Sequence, residues 1–265
     1  MSQSKDETRI LYVSACALKI ESLTRKPALD IAYRLKDYLA RSIKANSSIE
    51  NQPCLSIVWQ NFTINVTPLG WIHLGLQDPG LALWLQYIVD TLPARHDQTA
   101  AEIRALSRFP TSPENLFSAQ YAHARCCSLL RLGHQEKLIT LADRPVDQET
   151  CQQQIITPAP IPWLNSEYQL RLVQSSEWKL MHQLLVLIDN HYDLKQSFNI
   201  RIAYKQLYSL SQSFQVFYCT CQIFGSVKNS TLKLAQARLG LILATQLTLK
   251  SLLLNYFGIP APTEL

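Results

Sequence analysis

The stretch Glu114-Asn115-Leu116-Phe117-Ser118-Ala119-Gln120-Tyr121-Ala122-His123-Ala124-Arg125-Cys126-Cys127-Ser128-Leu129-Leu130-Arg131 contains neither glycine nor proline and is bracketed by Pro113 and Gly133. It predicts a helix of about five turns. Tyr121 and Arg125, four residues apart, share one face, while Gln120, Cys127 and Arg131 mark a neighbouring face. An aromatic ring beside a guanidinium is either helix packing or a platform for a nucleic-acid base. The rest of the chain decides which.

With 265 residues, 47% of them apolar, the chain can bury one large core or two ordinary ones and is not a disordered polymer. Only 7 glycines argue against glycine-rich phosphate loops. The net charge of +5 implies no partner by itself. Its distribution says more: residues 194–263 carry Lys195, Arg201, Lys205, Lys228, Lys233, Arg238 and Lys250 and no Asp or Glu, a dilute basic region suited to a polyanion. The 7 cysteines form no Cys-x-x-Cys, and Cys126-Cys127 and Cys219-x-Cys221 lie in apolar helical runs, as buried reduced thiols do. His123 with Cys126 and Cys127 lacks a second half for a metal site, so it reads as packing. Residues 1–9 are charged and exclude a signal peptide, and the apolar run 232–257 is interrupted by Lys233, Gln236, Arg238, Gln246 and Lys250. It reads as a core helix rather than a membrane span, and the expectation is a soluble cytoplasmic protein.

Along the chain, residues 10–20 read as helical, and Pro27 opens a second helix with Ile31, Leu35, Tyr38 and Leu39 at helical spacing. Residues 55–60, 62–66 and 71–76 read as three strands, the last after the Pro68-Leu69-Gly70 turn, and 81–90 as a short helix. Together these make a small α+β domain over 1–92. Residues 93–112 read as a linker with a short helix at 100–107, and the proline-rich 140–166 as a loop insertion. Segments 167–190, 199–224 and 229–257 read as helices. The last carries Ala235, Leu239, Ile242, Gln246, Leu249, Leu253 and Tyr256 as one stripe and stops at Gly258. Residues 113–265 are thus expected to form an all-α helical bundle.

No motif for covalent or metal catalysis is present, and His73-Leu74-Gly75-Leu76 lacks the second histidine of a nucleotide-binding His-x-Gly-His signature. No catalytic residue, metal or cofactor is expected. What remains is recognition chemistry, aromatic rings beside basic groups: Tyr121 with Arg125, Phe217 with Tyr218, and Arg238.

At 114–131 the pattern Glu-Asn-x-Phe-x-x-Gln-Tyr-Ala-His-Ala-Arg-x-x-Ser-x-Leu-Arg resembles the start of the DALR anticodon-binding domain of arginyl-tRNA synthetases. Residues 208–225, with Leu210, Phe214, Phe217-Tyr218 and Cys221, and the tail Gly258-Ile259-Pro260-Ala261-Pro262 resemble later parts of that domain. Tyr12-Val13-Ser14, Lys26-Pro27 and Pro68-Leu69-Gly70-Trp71-Ile72-His73-Leu74 resemble the N-terminal additional domain of the same enzymes, which contacts the tRNA elbow at the D-loop.

Two departures shape what the resemblance implies. The catalytic domain that separates these regions in the synthetases is replaced by residues 93–112, and the chain ends Pro262-Thr263-Glu264-Leu265 where the family has a Glu-Arg-Met-like tail. The resemblance therefore implies a non-catalytic tRNA-binding paralogue with arginine tRNA as its first candidate, a chaperone or an adaptor to a tRNA-modifying enzyme, a synthetase or another protein partner. It implies an RNA-binding set of Gln120, Tyr121, His123, Arg125, Arg131, Tyr218 and Arg238, with Trp71 and His73 at the D-loop. The alternative is a protein-interaction module of the same fold that has lost tRNA binding.

Overall fold

The computed structural model describes residues 2–3, 10–45, 53–92, 113–142, 153–194, 200–225, 227 and 231–265. The expected linker 93–112 and its short helix lie outside them. The fold is mostly helical, with a small sheet near the N-terminus. It divides into two compact units, Met1–Tyr87 with Leu164–Leu170, and Ile88–Trp163 with Arg171–Leu265.

The first unit holds an antiparallel sheet of order β1-β2-β4-β3, from β1 (Ser2–Gln3), β2 (Ile10–Ser14), β3 (Phe62–Val66) and β4 (Ile72–Leu76). Helices α1 (Cys16–Thr24), α2 (Ala28–Ala45), α3 (Pro53–Gln60) and α4 (Asp78–Thr91) accompany it, the division between the units falling inside α4. Register alternates the faces. Tyr12, Leu74 and Ile64 form one row across the strands, and Val13, His73 and Asn65 form the next on the opposite face. The first row joins a core of Ala17, Ile31, Ala32, Ile72 and Leu74 with Leu35, Phe62 and Val66, so α2 supplies it from positions three and four apart. Two links fix the corners. Arg25, left-handed at φ 57°, ends α1, and the Glu21 carboxylate accepts the Ala28 N–H at 3.1 Å, meeting an orphan donor of α2.

Local pattern misleads at two places in this unit. Residues 10–14 are a strand and the helix begins only at Cys16, because Ile10, Tyr12 and Ser14 alternate with residues on the open face. Residues 55–60 belong to helix α3 rather than a strand. A short apolar run does not distinguish the two, and here Asn61 closes a helical turn by donating Nδ2–H to the Ile57 carbonyl at 2.9 Å.

The second unit is a bundle of α5 (Pro113–Gln135), α6 (Ser175–Leu194), α7 (Ile200–Thr220) and α8 (Leu232–Phe257). Helix α5 packs along α8 and α7, and α6 packs on α7. Every residue of α8 from 237 to 250 is buried, so the expected single stripe is a helix enclosed on all sides. Each fully buried Leu or Ile contributes about 1.5–3 kcal/mol. Its buried hydroxyls return to the backbone, Thr245 to the Leu241 carbonyl and Thr248 to Ala244, both at 2.8 Å. By length and composition α8 is apolar enough to cross a membrane despite its polar positions, yet 89% of that window is buried within the bundle.

Three further expectations change. Gly133 does not end α5, which runs on to Gln135; a side chain there would press on Leu239 of α8. The bundle is not purely helical, since β5 (Thr140–Leu141) pairs with β6 (Ile155–Thr157) inside the expected loop. Helix α6 starts at Ser175 rather than 167. Gln174 and Glu177 make half of a capping box, the Glu177 carboxylate accepting the Gln174 N–H at 2.8 Å. Residues 165–169 instead form a turn around the Asn165 side chain, whose oxygen accepts the N–H of Glu167 and of Gln169 at 2.9 Å.

Beyond β6 the chain lays Ile161 and Trp163 against α8 at Gly240, where an added Cβ would come within 2.7 Å of the Trp163 ring and 2.8 Å of Ile161. Two effects oppose each other in Gly240→Ala. Helix propensity favours alanine by about 1 kcal/mol, and overpacking costs about 1–3 kcal/mol. With an aromatic ring and a β-branched side chain both too close, packing wins. The variant should lose up to about 2 kcal/mol, read as a lower midpoint in chemical denaturation with an unchanged m-value.

Candidate nucleic-acid interface

The candidate interface is built by α5 and α7. Phe214 is buried; Tyr218, one turn on, stacks on it at 6.4 Å with 19° between the rings. The Arg125 guanidinium lies over the Tyr218 ring with its carbon 4.7 Å from the centroid, and donates Nη2–H to the Tyr218 hydroxyl. Core ring, surface ring and guanidinium form three layers, so a cation–π contact contributing about 0.5–1 kcal/mol fixes Arg125 at the surface. Its Nε is buried with no hydrogen-bond partner. One turn before it Tyr121 is 47% exposed, and a further turn back Phe117 is 58% exposed. Phe117, Tyr121 and Arg125 thus make a strip at four-residue spacing, two open rings leading to a held cation. The sequence reading did not include Phe117 among the site residues, although its spacing to Tyr121 carries the signal.

A flank of this strip is covered by the chain's own residues 258–265. Gly258, left-handed at φ 60°, ends α8, and its N–H and that of Ile259 both bond the Leu253 carbonyl. The returning segment is held by α5: Gln120 donates Nε2–H to the Pro260 carbonyl at 2.9 Å, His123 donates Nδ1–H to Pro262 at 2.8 Å, and Arg131 donates to Thr263 at 3.2 Å. Arg131 also pairs with Glu264 at 3.3 Å. His123 is 1% exposed, and its Nε2 accepts from the Gln246 amide at 2.8 Å. Donating to a carbonyl at one nitrogen and accepting an amide N–H at the other suits the neutral ring alone.

The expected RNA-binding residues therefore divide. Tyr121, Arg125 and Tyr218 come together at the surface. Gln120, His123 and Arg131 come together on the adjoining flank, engaged by the returning tail. Arg238 is 3% exposed: its Nε donates to Glu177, itself fully buried, at 2.7 Å, and its Nη1 donates to the Gln222 carbonyl. It ties α8 to the start of α6 and has no surface to present. Beside it the Cys221 thiol, its pKa pushed up by burial, donates to the Gln174 side-chain carbonyl at 3.3 Å. Trp71 and His73 belong to the first unit, Trp71 closing the β3–β4 turn through Thr67 and His73 half-exposed between Val13 and Asn65. The tail carbonyls and Gln246 were not foreseen as partners of the site. The one hint was a glutamine on an otherwise apolar stripe.

Two predictions follow from the buried polar groups. Burial lowers the His123 pKa from 6.5 to about 4; the Pro262 bond opposes this and the Lys250 charge adds to it. Because the folded value lies below the unfolded one, the unfolded chain binds more protons between the two. The stability that neutral His123 provides is complete above pH 6.5 and is lost as pH falls towards 4, about 3 kcal/mol in all. Denaturant titrations from pH 7 to 4 should show this slope in the wild type and not in His123→Gln, which should be less stable at pH 7. Glu177→Ala strands a buried guanidinium and should cost about 3–5 kcal/mol in the same assay.

Residues 119–265, more than half of the chain, match the family model of the DALR anticodon binding domain. Over 145 residues the chain is 27% identical to the arginine–tRNA ligase of Synechococcus sp. (strain JA-3-3Ab), an overlap covering 55% of this chain and 21% of that protein. It is likewise 27% identical over 161 residues to the arginine–tRNA ligase of Moorella thermoacetica, covering 60% of this chain and 24% of that one. The match thus spans between a fifth and a quarter of the length of these curated relatives. No solved structure matches the chain. Tyr121, Arg125 and Tyr218 lie within the matched segment, and the chain belongs to the DALR anticodon-binding domain family.

Proposed function

We propose that the protein binds tRNA, arginine tRNA first among its candidates, without aminoacylating it, as a paralogue of the arginyl-tRNA synthetases that lacks their catalytic domain. In this reading residues 113–265 take the anticodon arm, residues 1–92 approach the D-loop through Trp71 and His73, and 93–112 join the two. The observation that carries it is the Phe117–Tyr121–Arg125 strip beside Tyr218: open rings for unpaired bases next to a cation for phosphate. Family membership and the two relatives named arginine–tRNA ligase support the choice of tRNA. The non-catalytic part rests on the sequence, which has no glycine-rich phosphate loop and no catalytic motif. Such a protein acts as a chaperone, or as an adaptor that hands tRNA to a modifying enzyme or a synthetase.

A second reading, a protein-interaction module, draws on the occupation of Gln120, His123 and Arg131 by the tail. One panel of measurements separates the two. Binding of several tRNAs and an unrelated RNA of equal length is measured at physiological salt for wild type, Tyr121→Ala and Arg125→Gln. Base stacking contributes about 1–3 kcal/mol, so Tyr121→Ala should weaken tRNA binding roughly 5- to 150-fold. Equal affinity for tRNA and the unrelated RNA, with Tyr121→Ala silent, refutes the tRNA reading. A stoichiometric protein partner recovered from native cells without RNA favours the second.

A further inference from the structure

We propose that residues 258–265 are an intramolecular strap with a fixed root and a releasable end, and that the end withholds Arg131 from RNA until phosphate displaces Glu264. The proposal rests on the tRNA-binding reading and specifies how that site is regulated.

The two ends of the segment are held by different physics. The root is anchored by Gly258 and Ile259 on the Leu253 carbonyl, by Gln120 on Pro260, and by buried His123 between Pro262 and Gln246. Opening it would leave buried polar groups unpaired, which is expensive. Among the described residues the end is held by Arg131, through the Thr263 carbonyl at 3.2 Å and the Glu264 carboxylate at 3.3 Å. The Glu264 side chain is 80% exposed and that of Arg131 36% exposed, so this ion pair is of the weak, salt-screened kind. Glu264 is also the one acidic residue within 194–265, set on the guanidinium beside the proposed phosphate path.

Arg131 lies six positions beyond Arg125, about 9 Å along the helix axis at 1.5 Å per residue. Six residues also turn about 120° around that axis, so Arg131, released from Glu264, would add a cation on the flank beside the strip. A phosphate offers Arg131 the same bidentate acceptor geometry as the carboxylate it replaces. The exchange needs no movement of the root. Glu264 therefore competes with RNA for one cation, and the competition raises the threshold for weakly held polyanions.

The test uses the full chain and an RNA stem-loop with a seven-nucleotide loop, titrated over a range of salt. Glu264→Gln should bind roughly two- to five-fold tighter and gain about 0.7–0.9 in the slope of log affinity against log salt, one additional phosphate contact. Arg131→Gln should weaken the wild type less than it weakens Glu264→Gln, and should cancel the gain when combined with Glu264→Gln. Backbone 15N relaxation without RNA supplies an independent reading: Glu264→Gln should loosen residues 263–265 and leave 259 and 261 as they were. A tail that stays rigid in Glu264→Gln overturns the strap, as does unchanged RNA affinity in that variant, or an Arg131→Gln loss in the wild type as large as in Glu264→Gln. Loosening of the end with no RNA bound by any variant overturns the RNA-binding reading, and the withholding of Arg131 falls with it while the two-part strap stands.

Discussion

The bundle is organised around a helix whose middle is shut off from water. Helix α8 is buried from 237 to 250, so its neighbours must cover every side of that stretch and offer partners to its polar side chains. Arg238 is met by Glu177 at the start of α6, and Gln246 by His123 on α5. These two contacts specify which helices lie where more sharply than apolar packing does, because an unmatched guanidinium or amide in that interior costs more than a misplaced methyl. The site inherits its rigidity from the same source. Helix α5 is seated on α8, and Arg125, among the side chains it turns outward, is held by Tyr218.

How far the sequence could be read follows from the same division. Helices α5, α7 and α8 were legible because long uninterrupted segments at helical spacing admit few alternatives. Residues 10–14 and 55–60 were not, since a short apolar run fits strand or helix equally and its partners across the sheet decide. Tyr121 beside Arg125 was readable as a pair on one face of a helix, and whether that face packs or stays open was not. That Tyr218 completes the stack from α7 depends on the register between two helices, which the order of residues does not encode locally. Arg238 and His123 show the complementary limit. Their residue types suggest RNA contact, but an arginine and a histidine serve equally well as interior braces when an acid or a carbonyl is brought to them, and both partners are remote in sequence.

Electrostatics sharpens the same point. Counting charge along 194–263 suggested a basic surface, yet Arg238 is neutralised inside the bundle by Glu177, and Lys250 is buried. A charge total overstates what solvent, or a polyanion, can reach. The cationic groups raised beside the open rings on α5 are few: Arg125, with no acidic partner among the described residues, and Arg131, shared with Glu264. Of the two kinds of group, the open rings therefore offer more accessible surface than the cations do.

The returning tail joins positions 132 to 140 residues apart in the chain. Contacts of such sequence separation are closed only after the intervening chain is largely ordered, because loop-closure entropy is lost before the contact is gained. The flank at Gln120, His123 and Arg131 is therefore assembled by global folding and has no local rehearsal within α5. Its opening free energy at the root is tied to that of the core, whereas the strip at Tyr121 belongs to a single helix surface. Adjoining faces of α5 thus carry the most and the least cooperative parts of the candidate site. Mild destabilisation of the bundle would be felt at the tail contacts before it altered the exposed rings.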